Sequence, residues 1–198
     1  MKILAATFNA HKIEELKALF PGHEIVAPFD LGIDAMEIEE NGESYFANAM
    51  IKAKALHALA RMPTLADDSG LSVKALDGRP GIHSARYGTL EEGKALSQGE
   101  KNDRLLREMK GAEDRACAFF CCLVLIYRDD AFLCVQETCP GLLAQEPRGR
   151  GGFGYDPLVF LPEFNLTVAE LSPEKKNQVS HRGKAAKILS SLLDKLPL

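Results

Sequence analysis

The chain has 198 residues, 46% of them hydrophobic and 26% charged, and a formal net charge of -4. Such a composition can bury a sizeable core and excludes disorder and repeat architectures, and without a basic balance there is no electrostatic footprint for nucleic acid. A polyanionic ligand would therefore have to be met by a few placed cations.

Residues 1–12 lack the unbroken apolar core of a signal peptide, because Asn9, His11 and Lys12 interrupt it. The longest apolar run, residues 116–127, is too short to span a bilayer. A cytoplasmic protein with no membrane partner is expected. The five cysteines Cys117, Cys121, Cys122, Cys134 and Cys139 have no zinc-type pairing with histidines and read as reduced core thiols. Cys121 and Cys122 must face opposite sides of a strand, which points to a strand buried on both faces.

In chain order, residues 2–7 read as a strand that gives way at Asn9 to a helix with Ile13, Leu16 and Phe20 on one face, stopped by Pro21 and Gly22. Asn9 suits an N-cap, and with Thr7, Lys12 and the first-turn N–H groups it could form a small anion site; a plain capped helix fits equally. Residues 24–27 read as a second strand and 28–40 as an acidic connector. Asn41 and Gly42 then open a helix to Arg61 whose buried face is Phe46, Ala49, Ala53, Leu56 and Ala60. Ser44, Asn48 and Lys52 lie four apart on another side with Glu40 just ahead, which suits a cleft lining or a solvated face.

Residues 64–66 and 71–73 read as short strands joined by a turn carrying Asp67, Asp68, Ser69 and Gly70. Adjacent carboxylates repel, so they suit either a hard divalent cation with one raised carboxyl acting as base, or a solvated turn. Residues 77–81 form a turn, and residues 90–110 are helical in character with Leu96, Leu105, Leu106 and Met109 inward. Residues 115–127 and 131–139 pair as an antiparallel hairpin, so the sheet is mixed.

Residues 149–156 match Gly-x-Gly-x-x-Gly literally, but Pro147 precedes the loop and Pro157 begins a strand-like run, so no dinucleotide-binding βαβ unit can form there. What remains is a glycine-rich loop displaying Phe153, Gly154, Tyr155 and Asp156, suited to stacking on a base or to a plain connection. After Lys175 and Lys176, Ser180 caps a last helix with Ala185, Ile188, Leu189, Leu192 and Leu196 inward. His181 and Arg182 in its first turn oppose the helix dipole, which hints at an acceptor or anion nearby.

The blocks Thr7-Phe8-Asn9-Ala10-His11-Lys12, Glu40 through Asn48-Ala49-x-x-Lys52-Ala53, Ala66-Asp67-Asp68-Ser69-Gly70-Leu71, Pro80-Gly81-Ile82-His83-Ser84-Ala85-Arg86-Tyr87, Gly151-Gly152-Phe153-Gly154-Tyr155-Asp156-Pro157 and Ser180-His181-Arg182-Gly183 occur in order. The whole chain thereby resembles the bacterial inosine/xanthosine triphosphate pyrophosphatases. The resemblance implies one α/β domain over residues 1–198, a long mixed β-sheet flanked by helices in two lobes with a nucleotide cleft between them, paired as a homodimer. It also implies Mg²⁺-dependent hydrolysis of ITP, dITP and XTP to the nucleoside monophosphate and pyrophosphate. By the same resemblance, residues 7–12, including Phe8, Ala10 and His11, hold substrate with Ser69, while Phe153, Gly154, Tyr155, Asp156, Lys176, His181 and Arg182 form the base pocket. Lys52 and Asp68 carry the chemistry, and Glu40, Asp68 and Asp67 engage the metal. His83 stands where such relatives tend to carry tyrosine. The rival expectations are a related-fold pyrophosphatase acting on pyrimidine or modified nucleotides, and a nucleotide-binding module without catalysis.

Overall fold

The computed structural model describes residues 1–89 and 93–196. Seven strands make an open sheet in the order β2-β1-β3-β4-β5-β6-β7, where β1 is Lys2–Ala5, β2 Glu24–Val26, β3 Thr64–Val73, β4 Ala116–Arg128, β5 Ala131–Leu143, β6 Val159–Leu161 and β7 Leu166–Thr167. Strands β2 and β3 run parallel to β1, whereas β6 is antiparallel to β5 and to β7, so the sheet is mixed as expected. The principal described helices are α1 Ala10–Leu19, α2 Tyr45–Ala60, α3 Gln98–Glu108, α4 Pro173–Val179 and α5 His181–Leu193.

The chain divides into two compact units. The first comprises Met1–Asp68, Cys121–Glu137 and the segment from His181 onward. Its strands alternate strictly between two apolar layers. Ile3, Ala5, Leu65, Cys121, Leu123 and Leu125 face one side with Ile13 and Leu16 of α1 and Ala185, Ala186 and Leu189 of α5. Leu4, Ala6, Ala66, Cys122, Val124 and Ile126 face the other with Ala49, Ala53 and Leu56 of α2. Cys121 and Cys122 are both fully buried on opposite faces, as a strand covered by helices on both sides requires. The second unit comprises Ser69–Phe120 and Thr138–Ser180, and its core joins Leu71, Leu105, Met109, Phe119, Leu143, Leu158 and Val159.

Several local expectations change. The Asp-Asp segment is no turn: β3 runs unbroken through Asp67, Asp68, Ser69 and Gly70, because ladder bonding and burial override the turn preference of Ser-Gly. Helix α2 begins at Tyr45, capped by the Ser44 hydroxyl, which accepts from Ala47 N at 3.1 Å. Gly42 is held out of the helix by donating its N–H to Asn48 Oδ1 at 2.9 Å. Phe46, expected inward, is 40% exposed, and Ile188 and Cys134 are also exposed. Of the helix expected over residues 90–110, the part from Gln98 is present, started by a capping box between Ser97 and Glu100. Leu90 and residues 91–92 lie outside the described residues. Ser180 closes α4, with an extended backbone and its N–H bonded to Lys176 O, and stands immediately before α5.

Candidate active site

Because β3 is a strand, its two aspartates point to opposite faces. Asp68 lies on the α2 side, where its Oδ1 accepts from Lys52 Nζ at 2.6 Å. Lys52 Nζ also stands 3.4 Å from Glu40 Oε2 at the end of the acidic connector. Asp68 Oδ2 is buried and has no hydrogen-bond partner among the described residues. Burial pushes the Asp68 carboxyl up to about 6 although Lys52 draws it back. The Lys52 ammonium pays for its own burial, but Asp68 and Glu40 more than compensate and hold its pKa above the ordinary lysine value. A carboxyl tuned near neutrality beside a fixed cation is suited to accepting a proton.

Asp67 lies on the α1 and α5 side and is fully buried there. Its Oδ1 accepts from Lys12 Nζ at 2.6 Å and its Oδ2 from Arg182 Nε at 2.6 Å and from Cys121 Sγ at 3.4 Å. Arg182 Nη1 in turn donates to Glu15 Oε2 at 2.6 Å. Both Asp67 oxygens therefore face cations, on the face opposite Asp68. Burial alone would raise the Asp67 carboxyl, but Arg182 and Lys12 outweigh it and hold the group well below the usual carboxylate range. A carboxyl depressed in the fold stabilises it at any pH above the unfolded value of about 3.9 and loses that contribution as pH falls toward the folded value. At neutral pH, breaking this buried pair by Asp67→Asn is expected to cost about 3 kcal/mol or more. Denaturant titrations should show the gap from wild type shrinking in acid, and a gap constant down to pH about 2.5 would contradict the assignment.

In the second unit, Asp156 opens a short helical turn after the glycine-rich loop and is buried. Its Oδ2 accepts from Phe153 N at 2.8 Å and from Lys176 Nζ at 2.6 Å, and the same ammonium sits 4.8 Å from the Phe153 ring centroid. Gly152 has φ +68°, and a Cβ there would collide with the Asp156 carboxylate and approach Lys176 Nζ to 3.1 Å. Gly152 thus serves close packing around Asp156, while Gly149 and Gly151 pack against Ala169. Gly152→Ala should displace the carboxylate and, through the strain at positive φ, weaken ligand binding roughly tenfold, measurable as a rise in KM.

Of the remaining expected residues, Asn9 Oδ1 caps α1 by accepting from His11 N at 3.0 Å and Lys12 N at 3.3 Å, and Asn9 N donates to the Thr7 hydroxyl at 3.2 Å. The cap thereby uses two first-turn N–H groups of the anticipated anion site. Phe8 is half-buried, and Ala10 and His11 are exposed. Ser69 is half-buried on β3. Gly154 accepts from Asn102 Nδ2 at 3.3 Å, Tyr155 donates its hydroxyl to Ser84 O at 3.0 Å, and His181 is buried at the start of α5. Glu15 and Cys121 were not anticipated here, whereas Asn48 was singled out with Ser44 and Lys52. Glu15 had one signal, its i, i+3 spacing from Lys12 on α1.

Residues 3–192 match the family model described as the Ham1 family. The chain is 50% identical to a dITP/XTP pyrophosphatase of Treponema denticola over 93% of this chain and 94% of that protein. It is 45% identical to a dITP/XTP pyrophosphatase of Geobacillus kaustophilus over 93% and 90%. Among solved structures, a HAM1 protein from Coxiella burnetii superposes with a TM-score of 0.86 at 35% identity, covering 99% of this chain and all of that one, 100%. Length, sequence and fold agree, and the chain belongs to the Ham1 family.

Proposed function

We infer that the chain is a nucleoside-triphosphate pyrophosphatase that hydrolyses ITP, dITP and XTP to the monophosphate and pyrophosphate with Mg²⁺, clearing deaminated purines from the nucleotide pool. The observation that carries this reading is the Lys52 ammonium fixed between Asp68 and Glu40, with Asp68 Oδ2 buried and unpartnered. That oxygen and the Glu40 carboxylate are hard donors of the kind Mg²⁺ takes, and they are the residues that would hold it. When bound, Mg²⁺ supplies charge neutralisation at the phosphates and acidifies bound water.

The chain's own residues then act as follows. Asp68 orients the attacking water and accepts its proton. Lys52 places positive charge against the scissile link between the α and β phosphates, and cleavage there releases pyrophosphate as a unit. Lys12 Nζ donates to Asp67 Oδ1 and, at 3.2 Å, to Asp67 O. Its third N–H is available to a phosphate oxygen, with the Thr7 hydroxyl, the Asn9 segment and Ser69 beside it in role. The Phe153 ring offers a stacking face to the base, and Asp156 and Lys176 fix that ring's loop. His181 and Arg182 donate to the 6-oxo group of hypoxanthine or xanthine, a group that adenine replaces with an amine.

Gly42 and Asn48 hold the approach to Glu40. A Cβ on Gly42 would stand 2.7 Å from Ala47 Cβ and 2.8 Å from Asn48 Oδ1, so Gly42→Ala must shift the connector. Overpacking of this kind costs about 1–3 kcal/mol, and the Mg²⁺ concentration for half-activation is expected to rise roughly tenfold. An unchanged activation curve would remove Glu40 from the metal set.

A homodimer in the cytoplasm completes the proposal. Phe46 and Phe132 are both exposed with ring centroids 6.1 Å apart, an apolar pair that suits contact with a second copy. All five cysteines are free, which suits a reducing compartment, and no described helix is long and apolar enough to cross a membrane. The function itself is tested by incubating the protein with dITP and Mg²⁺: pyrophosphate without orthophosphate is expected, and chelation should stop its release. Orthophosphate as the first product would contradict it.

A further inference from the structure

Lys12, Glu15, Asp67 and Arg182 form a closed ring in the first unit. Lys12 and Glu15 are one turn apart on α1; Asp67 on β3 takes Lys12 Nζ at 2.6 Å; Arg182 on α5 reaches Asp67 through Nε at 2.6 Å and Nη2 at 3.4 Å, and returns to Glu15 through Nη1 at 2.6 Å. Two cations and two carboxylates balance, and the Asp67 and Arg182 side chains are almost wholly buried, at 0% and 2% exposure. The two-point Arg182–Asp67 contact fixes the plane of the guanidinium as well as its position. Lys12 is held at two points as well, by the carboxylate and by the backbone carbonyl of the same residue, at 3.2 Å. A single side chain therefore sets the separation between an ammonium at the phosphate-binding segment and a guanidinium at the start of α5.

We propose that Asp67 is a positioning residue that couples the two recognition tasks of the substrate: it aims Lys12 at the phosphates and Arg182 at the base as one rigid assembly, so that a base lacking the 6-oxo acceptor also leaves the phosphates imperfectly held. This deepens the pyrophosphatase reading and rests on it. The coupling runs through packed, charged groups with no loose link, since Arg182 cannot shift without moving Asp67 or Glu15, and Asp67 cannot shift without moving Lys12. Discrimination between bases would then appear in turnover as well as in binding, because only a correctly placed guanidinium leaves the lysine correctly placed.

The test compares kcat and KM for ITP and ATP in wild type, Asp67→Asn, Lys12→Met and Glu15→Gln, with thermal unfolding recorded for each. Lys12→Met removes the phosphate end of the link, so it should slow both nucleotides and bring their kcat values within about threefold of each other while a preference for ITP in KM remains. Asp67→Asn should lower kcat on ITP by about a hundredfold, as a misplacement of about 1 Å does, and narrow the ITP-to-ATP preference by about tenfold or more. Glu15→Gln loosens only the far side of the ring and should narrow the preference with a smaller loss of kcat; it decides the matter if Asp67→Asn does not fold. An Asp67→Asn or Glu15→Gln protein that is folded and keeps the wild-type preference overturns the proposal, as does Lys12→Met keeping the wild-type ratio of kcat between ITP and ATP. A wild-type protein that releases no pyrophosphate from ITP overturns the pyrophosphatase reading itself, and that result is separable because it precedes any substitution.

Discussion

Asp68→Asn is expected to lower kcat by about a thousandfold while nucleotide binding stays measurable, because general-base residues contribute in that range and asparagine preserves shape without basicity. The expectation follows from placement. Asp68 has one oxygen spent on Lys52 and the other buried without a partner, an expensive arrangement for stability alone and a suitable one for a group that must hold a water and take its proton. Its carboxyl is raised to about 6, chiefly by burial, so the protonated and inactive form accumulates as pH falls through that value. Bound Mg²⁺ would draw that titration down, so wild-type kcat should rise with pH in an acid limb lying below about 6 and level off above it. The Asn variant should show no such limb. Near-normal turnover in Asp68→Asn, read by pyrophosphate release, would assign the base to another group.

The second large effect is expected from Lys52→Met. In the proposed reaction Lys52 neutralises developing charge on the phosphates, and removing one such preorganised contact costs roughly 10²–10³ in kcat. It has a second consequence that a purely phosphate-binding lysine would lack. Burial pushes Asp68 upward and the Lys52 charge and hydrogen bond are the principal forces drawing it back, so without Lys52 the carboxyl should titrate at higher pH. The acid limb of the pH–rate profile should therefore move up in Lys52→Met, with part of the lost activity regained in mildly alkaline buffer. A uniform loss at every pH would confine Lys52 to binding charge and detach it from Asp68. Lys52→Arg should keep the charge but not the geometry, since a planar fork cannot reproduce a point contact at 2.6 Å to Asp68 with Glu40 at 3.4 Å.

Much of the fold is written in local pattern. The alternation of Cys121 and Cys122 across a doubly covered strand and the mixed sheet follow from runs of apolar residues and the turns between them. The failures share a cause. The Asp-Asp-Ser-Gly segment carries strong turn chemistry, yet it lies inside β3, where its carboxylates meet Lys52 on one face and Lys12 and Arg182 on the other. Those partners are distant in sequence, and Arg182 is 115 positions from Asp67. No local window contains that information. The same strand geometry separates the two aspartates, which sequence alone left equivalent apart from the family resemblance: an odd–even step along a strand sends neighbours to opposite layers. Arg182 was legible as a misfit, a cation at a helix N-terminus, but its acceptors Asp67 and Glu15 were not. Gly42 read as the beginning of a helix because Asn-Gly suits a start; its hydrogen bond to Asn48 instead keeps it in the connector that carries Glu40.

The account stands or falls on substrate choice. The decisive measurement is kcat/KM by pyrophosphate release for ITP, dITP and XTP against ATP, GTP and TTP under one Mg²⁺ concentration. The first three are predicted to exceed ATP by roughly 10³-fold or more, because buried donors built for a 6-oxo acceptor are left unpaired by an amine. Comparable turnover of ATP or TTP would contradict it.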